Sequence, residues 1–231
     1  MDRKLDLLVR ELERYHVDVC GVQETKWFGN DVWTAGSATF LHSGRPVPGE
    51  SDHRLRGEGF GILMSEELTR AWRRGGEQWC AVSSRIVSAR FNLTPGESEG
   101  QYHQLPRGYC RRRSALFMTV VNVYAPTAKA PPSVKEKFVC DLQAALDSVP
   151  TSDILVVLGD FNARIGVRPA PVGDSPDLWT DVTGPFGLGR CNAAGEDLLM
   201  LCASNRLSIM NTWFHKIFMD LGCTLRLRNT I

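Results

Sequence analysis

The sequence lacks the features that mark membrane-spanning, secreted and zinc-binding proteins. No apolar run approaches the roughly 18 residues that a transmembrane helix needs. The start, Met1 to Lys4, is charged and does not begin a signal peptide. The seven cysteines include no CxxC pair, which argues against a zinc site and is typical of a reducing compartment. We expect an intracellular protein, nuclear or cytoplasmic, with no membrane partner.

The chain also has almost no net charge, which removes one simple argument about its partners. The formal net charge is +1, too small to indicate nucleic-acid or membrane binding by itself. With 231 residues, 43% of them hydrophobic, the chain can form a sizeable core. No internal repeat or linker divides the sequence. One α+β domain with mixed sheets is therefore the simplest fold class.

Apolar periodicity predicts the order of helices and strands. Helices are predicted at residues 5–15, 133–148 and 195–205. Ser133, with Glu136 three residues later, is the predicted N-cap of the second helix. Strands are predicted at residues 17–22, 59–64, 79–93 (one strand or two), 115–124, 154–158 and 207–211. Glycine, proline and charged residues predict loops at 28–57, 94–113 and 166–190.

Two of the predicted strands end in acidic residues. Glu24 follows the strand at 17–22, and Asp160 follows the strand at 154–158. A carboxylate at a strand end projects from a rigid scaffold into a loop-lined cleft. Two such carboxylates can share Mg²⁺, which takes oxygen ligands and keeps several waters, and substrate phosphate can complete the shell. The ion would stabilise charge on the transferred phosphoryl group and the leaving oxygen.

Two further polar side chains could serve the same phosphate. Asn162 can donate a hydrogen bond without adding negative charge, and Tyr124, at the end of the strand at 115–124, offers a phenolic hydroxyl. Taken singly, each residue is more simply explained as structural. A glutamate at a strand end is commonly a solvated loop residue, and Gly-Asp-x-Asn is commonly a turn, because Asp and Asn tolerate left-handed backbone geometry.

Three motifs in a fixed order strengthen the functional interpretation. They are residues 23–26 (Gln-Glu-Thr-Lys), 122–126 (Asn-Val-Tyr-Ala-Pro) and 159–163 (Gly-Asp-Phe-Asn-Ala). Together they resemble the endonuclease/exonuclease/phosphatase superfamily, which includes apurinic endonucleases and the endonuclease domains of non-LTR retrotransposons. The sequence at 5–27, 57–65 and 187–214 resembles the retrotransposon-derived branch of this superfamily. The resemblance implies a four-layer α/β sandwich, in which two packed mixed sheets are flanked by helices.

The resemblance also implies a role for each matching residue. Glu24 matches the metal-binding glutamate, and Asp160 matches the aspartate that orients or activates the attacking water. Asn162 matches the asparagine that steadies the phosphate, and Tyr124 matches the tyrosine that contacts it. Asn192 matches a loop position that contacts the substrate backbone. The implied activity is Mg²⁺-dependent nicking of DNA, with Mn²⁺ as a substitute ion.

The chain departs from the family pattern at both ends. The family has an asparagine on a strand before the opening helix, and it has a late aspartate and a closing Ser-Asp-His. None of these is found at the matching place. We therefore expect an incomplete domain at 1–214 and a divergent tail at 215–231. Catalysis should be weak or absent, because losing one essential group commonly costs several orders of magnitude in rate.

Several other residues invite a functional interpretation that we do not favour. Residues 51–53 (Ser-Asp-His) spell the family's closing tripeptide, but they lie in a polar loop and are interpreted as a decoy. His215 is interpreted as structural or solvent-facing. Arg107 and the three arginines at 111–113 could contact DNA phosphates, although a solvated basic loop is the simpler explanation.

Two alternatives to a DNA-nicking enzyme stay open. The first is a remnant of such an enzyme that binds metal or nucleic acid weakly and does not cleave. The second is a phosphodiesterase or phosphatase that acts on a phosphoester outside nucleic acids, as inositol-phosphate and phospholipid phosphodiesterases of the superfamily do. The second is the weaker alternative, because the flanking sequence resembles the retrotransposon branch.

Overall fold

The computed structural model describes residues 3–44, 59–94, 115–167, 179–214 and 223–227. Within these ranges the helices are α1 Arg3–Tyr15, α2 Glu66–Arg74, α3 Pro132–Asp147 and α4 Ala193–Ser204. The strands are β1 Val19–Val22, β2 Asp31–Ala35, β3 Ala38–Ser43, β4 Phe60–Met64, β5 Trp79–Ser83, β6 Ile86–Asn92, β7 Phe117–Tyr124, β8 Ile154–Asp160, β9 Leu207–Ile209 and β10 Cys223–Leu227. None of these helices is long and apolar enough to cross a membrane.

The strands form two sheets. The four-stranded sheet has the order β1-β4-β3-β2, and all of its neighbouring strands are antiparallel. The six-stranded sheet has the order β5-β6-β7-β8-β10-β9 and is mixed, because β7 and β8 are parallel. Since α3 connects β7 to β8, this pair is a βαβ unit, and its two carboxyl ends lie at the same edge of the sheet.

The space between the sheets is filled by one face of each. Leu41 and Ile62 of the four-stranded sheet pack into one buried cluster with Val87 and Val120 of the six-stranded sheet. Side chains of a strand alternate between its two faces, so their sequence neighbours point the other way. This alternation gives each sheet a second apolar face that needs a cover.

Helices cover the two outer faces. Phe40 and Leu63, on the outside of the four-stranded sheet, cluster with Leu5 and Leu12 of α1. A separate cluster on the outside of the six-stranded sheet joins buried residues of α3 and α4 to Ile86, Val121, Val123, Leu155 and Val157. The predicted α+β fold, with two packed sheets flanked by helices, is confirmed.

Residues 28–57 were predicted to be loop, and this is wrong for the part that the structure describes. β2 and β3 form a hairpin there, with Gly36 at a φ of 61° in the connecting turn. All six residues of β3 are buried, because its two faces pack on α1 and on the other sheet. A glycine with positive φ can form the tight turn of a β-hairpin, so it marks the end of one strand and the start of its neighbour in the same sheet.

One predicted helix start needs correction, and one helix was not predicted. α3 begins at Pro132, with Pro131 at the N-cap position and no side-chain capping bond, so Ser133 lies inside the helix. Proline is favoured in the first helical turn because its missing N–H would have no partner there. α2 was not predicted, although Ser65 caps it by accepting a hydrogen bond from the Leu68 N–H.

A further strand follows the strand that was predicted at 207–211. β9 ends at Ile209, and residues 210–212 form a 3-10 helix. β10, which lies within the predicted tail, pairs with β8 on one side and with β9 on the other. The predictions for residues 51–53, Arg107, 111–113 and His215 fall outside the described residues.

A partly buried ion pair joins β6 to the start of β8. The Arg90 guanidinium donates to both carboxylate oxygens of Asp153, at 2.7 Å and 3.0 Å, and the Thr119 hydroxyl donates to the same carboxylate at 2.8 Å. The Asp153 side chain is fully buried. The hydrogen bonds from Arg90 lower the pKa of Asp153 below its ordinary value of 3.8. Arg90 also lies 3.8 Å from the ring centre of Phe117.

Replacing Asp153 should therefore destabilise the fold. We expect Asp153→Asn to lose about 3 kcal/mol of unfolding free energy, because it leaves the Arg90 charge without its partner. The pKa of Asp153 is depressed in the fold, so this stability is present above pH 3.8 and is lost as the pH falls through the folded pKa. Urea unfolding of the parent chain and of Asp153→Asn, at neutral pH and at pH values around and below 3.8, measures the loss on substitution and the loss on acidification.

The exposed pair Lys137–Asp141 provides the control. Lys137→Ala should change stability by only a few tenths of a kcal/mol, because exposed ion pairs contribute little. Equal losses in Asp153→Asn and Lys137→Ala would contradict a structural role for the pair of Arg90 and Asp153.

Candidate active site

The parallel strands β7 and β8 bring two of the predicted site residues together. Tyr124 and Asp160 end these strands and lie opposite one another in the register. The strands can approach closely here because residue 159 is glycine: its φ is 131°, and an added Cβ would lie 1.9 Å from the Val123 carbonyl oxygen. The Ala125 N–H donates to the Asp160 carbonyl at 2.8 Å, so the pairing extends past the strand ends.

The turn after β8 fixes Asp160 and Asn162 relative to each other. The Asn162 N–H donates to Asp160 Oδ1 at 2.9 Å, and Asn162 Nδ2 donates to the Ala125 carbonyl at 2.8 Å. Asn162 has a φ of 48°, a left-handed conformation that asparagine tolerates better than most residues. Both side chains are therefore oriented by local hydrogen bonds, and the Asp160 side chain is exposed.

Glu24 comes to the same edge from the other sheet. It follows β1 in a turn where Glu24 and Lys26 have φ values of 55° and 61°. The Tyr124 hydroxyl donates to Glu24 Oε1 at 2.9 Å, across 100 residues of sequence. Left-handed backbone at two non-glycine residues is strained, and such strain is often found at functional sites.

The environment of Tyr124 keeps its hydroxyl protonated. Burial raises its pKa to about 12, together with the hydrogen bond to Glu24 and the negative charges of Glu24 and Asp160. The positive charge of Arg85 acts in the opposite direction. At neutral pH, Tyr124 is therefore a hydrogen-bond donor that faces two carboxylates.

A buried asparagine that sequence reasoning did not single out connects the two sheets beside this group. Asn122, on β7, is fully buried. Its Nδ2 donates to the Gly61 carbonyl of β4 at 2.7 Å, and its Oδ1 accepts from Gln23 Nε2 at 3.0 Å. Residue 21 must be small here, because a Cβ on Gly21 would lie 2.3 Å from Asn122 Oδ1. The sequence signals were its place at the start of the motif at 122–126 and its polar side chain within an apolar strand.

Arg85 is a second neighbour that sequence reasoning missed. It lies in the turn between β5 and β6, and its guanidinium donates to the Tyr124 carbonyl at 3.2 Å. The guanidinium carbon lies 5.7 Å from the Tyr124 ring centre. The Tyr124 N–H donates to the Arg85 carbonyl at 2.9 Å. A cation therefore lies beside the tyrosine, which also has the negative charges of Glu24 and Asp160 near it.

The Glu24 turn rests on an aromatic cluster. Thr25 Oγ1 lies 3.1 Å from Nε2 of His42, and the Thr25 N–H donates to the Gly59 carbonyl at 2.7 Å. The His42 ring is fully buried and stacks on Trp33 with centroids 5.0 Å apart, while Trp27 meets both rings edge-on. Burial lowers the pKa of His42 below 6.5.

Asn192 lies in a neighbouring loop. It caps α4, where its Oδ1 accepts from the Gly195 N–H at 2.9 Å and from the Arg164 N–H at 3.0 Å. The Arg164 carbonyl in turn accepts from the Asn192 N–H at 3.0 Å. Asn192 therefore anchors the segment that follows the Asp160 turn to the start of α4.

The grouped side chains offer oxygen donors to a metal ion. Across the described ranges, no three His, Cys, Asp or Glu side chains converge as a ready-made metal cage. Mg²⁺ does not need one, since one or two carboxylates, waters and substrate phosphate are enough. Glu24 and Asp160, with Tyr124 between them, are compatible with such a hard cation and unsuited to a soft one.

The chain belongs to the Endonuclease/Exonuclease/phosphatase family, and its match to that family covers residues 1–201. Among curated proteins it is similar to craniofacial development protein 2 of Bos taurus, with 29% identity over 214 residues. The protein of the same name from Tragulus javanicus is 28% identical over 214 residues. These alignments cover 92% of this chain but only 29% and 30% of the two relatives. The chain thus spans less than a third of their length.

Two solved structures align with the chain at low sequence identity. The catalytic domain of human Nocturnin with bound sulfate aligns with a TM-score of 0.48 and 11% identity, covering 96% of this chain and 73% of that one. A family protein from Leptotrichia buccalis aligns with a TM-score of 0.45 and 14% identity, covering 97% and 81%.

The buried histidine predicts a pH dependence of stability. Because the fold lowers the pKa of His42, the unfolded chain binds a proton below pH 6.5 that the folded chain resists. The contribution of neutral His42 to the unfolding free energy should be fully present above pH 6.5. It should decrease as the pH falls below 6.5, by at most about 1.4 kcal/mol per pH unit. Denaturant titrations between neutral pH and about pH 5 measure this slope.

Two variants identify the source of that slope. His42→Gln should be less stable than the parent chain but should have a flatter profile over the same range. His16→Gln removes an exposed histidine at the end of α1 and should keep the parent slope. A parent slope that persists in His42→Gln would assign the effect to another group.

Proposed function

We propose that this chain carries a divalent-metal site for the phosphodiester backbone of DNA, of retrotransposon-endonuclease type, with weak or no turnover. The observation that carries the proposal is the contact between Tyr124 and Glu24, with Asp160 beside them on the paired strand. This contact and the β7–β8 pairing bring one matching residue from each of the three motifs to one edge. The family to which the chain belongs includes endonucleases by its description.

Glu24 is the residue that we propose as the metal ligand, with Asp160 near enough to influence the same ion or its waters. When bound, Mg²⁺ or Mn²⁺ would supply charge neutralisation at the phosphoryl and leaving oxygens. The Tyr124 hydroxyl has a pKa of about 12 and is therefore protonated at neutral pH. It can turn from Glu24 towards a phosphate oxygen. It would then act as a neutral donor at any physiological pH.

Asp160 and Asn162 would act on the other side of the phosphate. The Asp160 carboxylate can accept a hydrogen bond from the attacking water and orient it, because Asn162 holds its Oδ1 in place. One N–H of the Asn162 amide is used by the Ala125 carbonyl, and the second can donate to a phosphate oxygen. Since Asn192 Oδ1 accepts two backbone bonds, the amide N–H group is the part of Asn192 that would meet the substrate.

Weak turnover is proposed because the Tyr124 hydroxyl holds its proton too tightly to give it to the leaving oxygen. Efficient general acids titrate near the operating pH, and Tyr124 does not. Of the two histidines in the described ranges, His42 is enclosed by aromatic rings and His16 lies at the end of α1. Positioning without proton transfer leaves a site that binds phosphodiesters better than it cleaves them.

Metal-dependent DNA binding and nicking test this proposal together. In Mg²⁺, the parent chain should bind a labelled DNA duplex more tightly than in EDTA. Glu24→Gln, which keeps the size and removes the charge of the ligand, should lose that difference. Conversion of supercoiled plasmid to the nicked form should be at background, or nearly so, for both proteins.

The control variant is Glu77→Gln, an exposed glutamate with a φ of 55° that lies after α2, outside the site. It should bind DNA as the parent chain does. Fast nicking that disappears in Glu24→Gln would contradict weak turnover, and DNA binding that is the same in Mg²⁺ and EDTA would contradict the metal site.

A further inference from the structure

We propose that Asn122 is a positioning residue, which sets the place of Glu24 against Tyr124 through Gln23. The inference rests on the proposed function for its meaning, since a displaced Glu24 would matter to metal binding. Its physical content is independent of that function. It concerns how one buried amide holds the ends of β1 and β7, which belong to different sheets, in one arrangement.

Asn122 has the burial and the hydrogen bonds that this role needs. The side chain is fully buried between the sheets, where an amide without partners would be costly. Instead Nδ2 donates to the Gly61 carbonyl and Oδ1 accepts from Gln23. A hydrophobic residue of the same size would remove both bonds, and a buried polar group that loses its partner costs about 1–3 kcal/mol.

The position of Asn122 in the chain connects those bonds to the site. Gln23 is the residue immediately before Glu24, and Asn122 lies two residues before Tyr124, on the same face of β7. The hydrogen bond from Gln23 to Asn122 therefore runs beside the bond from Tyr124 to Glu24. Two bonds to β7 from the adjacent residues Gln23 and Glu24 restrict this segment more than the Tyr124 bond alone.

The backbone next to this bridge is built for close approach. Gly21 on β1 leaves the space that Asn122 Oδ1 occupies, and Gly61 on β4 offers its carbonyl while leaving no room for a Cβ beside Leu41. Glu24 itself holds a left-handed conformation. Such a conformation persists only when its surroundings enforce it, and the Gln23 bond is a contact one residue away that can contribute to this.

The test uses the ionisation of Tyr124, which depends on Glu24 and needs neither metal nor DNA. With a pKa of about 12, Tyr124 should be only about one-tenth ionised at about pH 11. The difference in tyrosinate absorbance between each protein and its Tyr124→Phe counterpart isolates this residue. Far-UV circular dichroism at the same pH confirms that each protein is folded.

Two variants should allow Glu24 to move away from Tyr124 and should therefore raise the ionised fraction of Tyr124. Asn122→Val removes both arms of the bridge, and Gln23→Met removes only the donor to Asn122 while keeping the length of a half-buried side chain. If Glu24 moves away, the pKa of Tyr124 should fall by about one unit, and about half of Tyr124 should be ionised at about pH 11. Where Asn122→Val does not fold, Gln23→Met decides the question.

Thr119→Val is the matched control on the same strand. Thr119 is also buried on β7 and also donates a hydrogen bond, but its partner is Asp153. This variant should be destabilised and should leave Tyr124 at about one-tenth ionised at about pH 11. An unchanged Tyr124 in folded Gln23→Met, or an equal rise in Thr119→Val, would overturn the positioning role.

Mn²⁺ affinity, measured by electron paramagnetic resonance at neutral pH, separates this inference from the function on which it rests. If both hold, Gln23→Met should bind Mn²⁺ at least fivefold more weakly than the parent chain, and Thr119→Val should bind it equally. Absence of Mn²⁺ binding in the parent chain would remove the proposed metal site, while the tyrosine result would still decide the role of Asn122.

Discussion

The site depends on how the two sheets meet at one edge, where hydrogen bonds join them. Elsewhere the sheets are held by apolar side chains such as Leu41 and Val120, which attract one another without specifying direction. At the edge, Asn122 connects to Gly61 and Gln23, and Tyr124 connects to Glu24. Directional bonds of this kind fix the sliding and rotation of one sheet over the other. Residues about 100 positions apart in the sequence can then form one site.

The six-stranded sheet supplies the second constraint. Its parallel pair, β7 and β8, places Tyr124 and Asp160 side by side, because parallel strands end at the same edge. Gly159 allows this pairing to persist to the last residue, and the Asn162 hydrogen bonds turn the chain away at once. The ion pair of Arg90 with Asp153 joins β6 to the opposite end of β8. Both ends of the strand that carries Asp160 are thus anchored.

The sequence was sufficient to place Glu24, Tyr124 and Asp160 at or just after strand ends, but not to predict which of them touch. Glu24, Tyr124 and Asp160 follow strongly apolar runs, and that pattern depends only on local sequence. The bond from Tyr124 to Glu24 depends on how two separate sheets pack, which no local pattern encodes. Asn122 shows the same limit, because a polar residue in an apolar strand has no evident purpose until the facing carbonyl of Gly61 is located. β2 and β3 were missed because glycines around them resemble loop sequence, although burial on both faces makes β3 a strand.

The central claim is that Glu24 and its neighbours form a metal site at this edge. The most direct measurement is a crystal structure of the chain with Mn²⁺, using anomalous scattering to locate the ion. The account predicts one anomalous peak within about 2.2 Å of a Glu24 carboxylate oxygen, and predicts that Glu24→Gln lacks it. An anomalous map with no peak beside Glu24 at saturating Mn²⁺, or a peak that persists in Glu24→Gln, would contradict it.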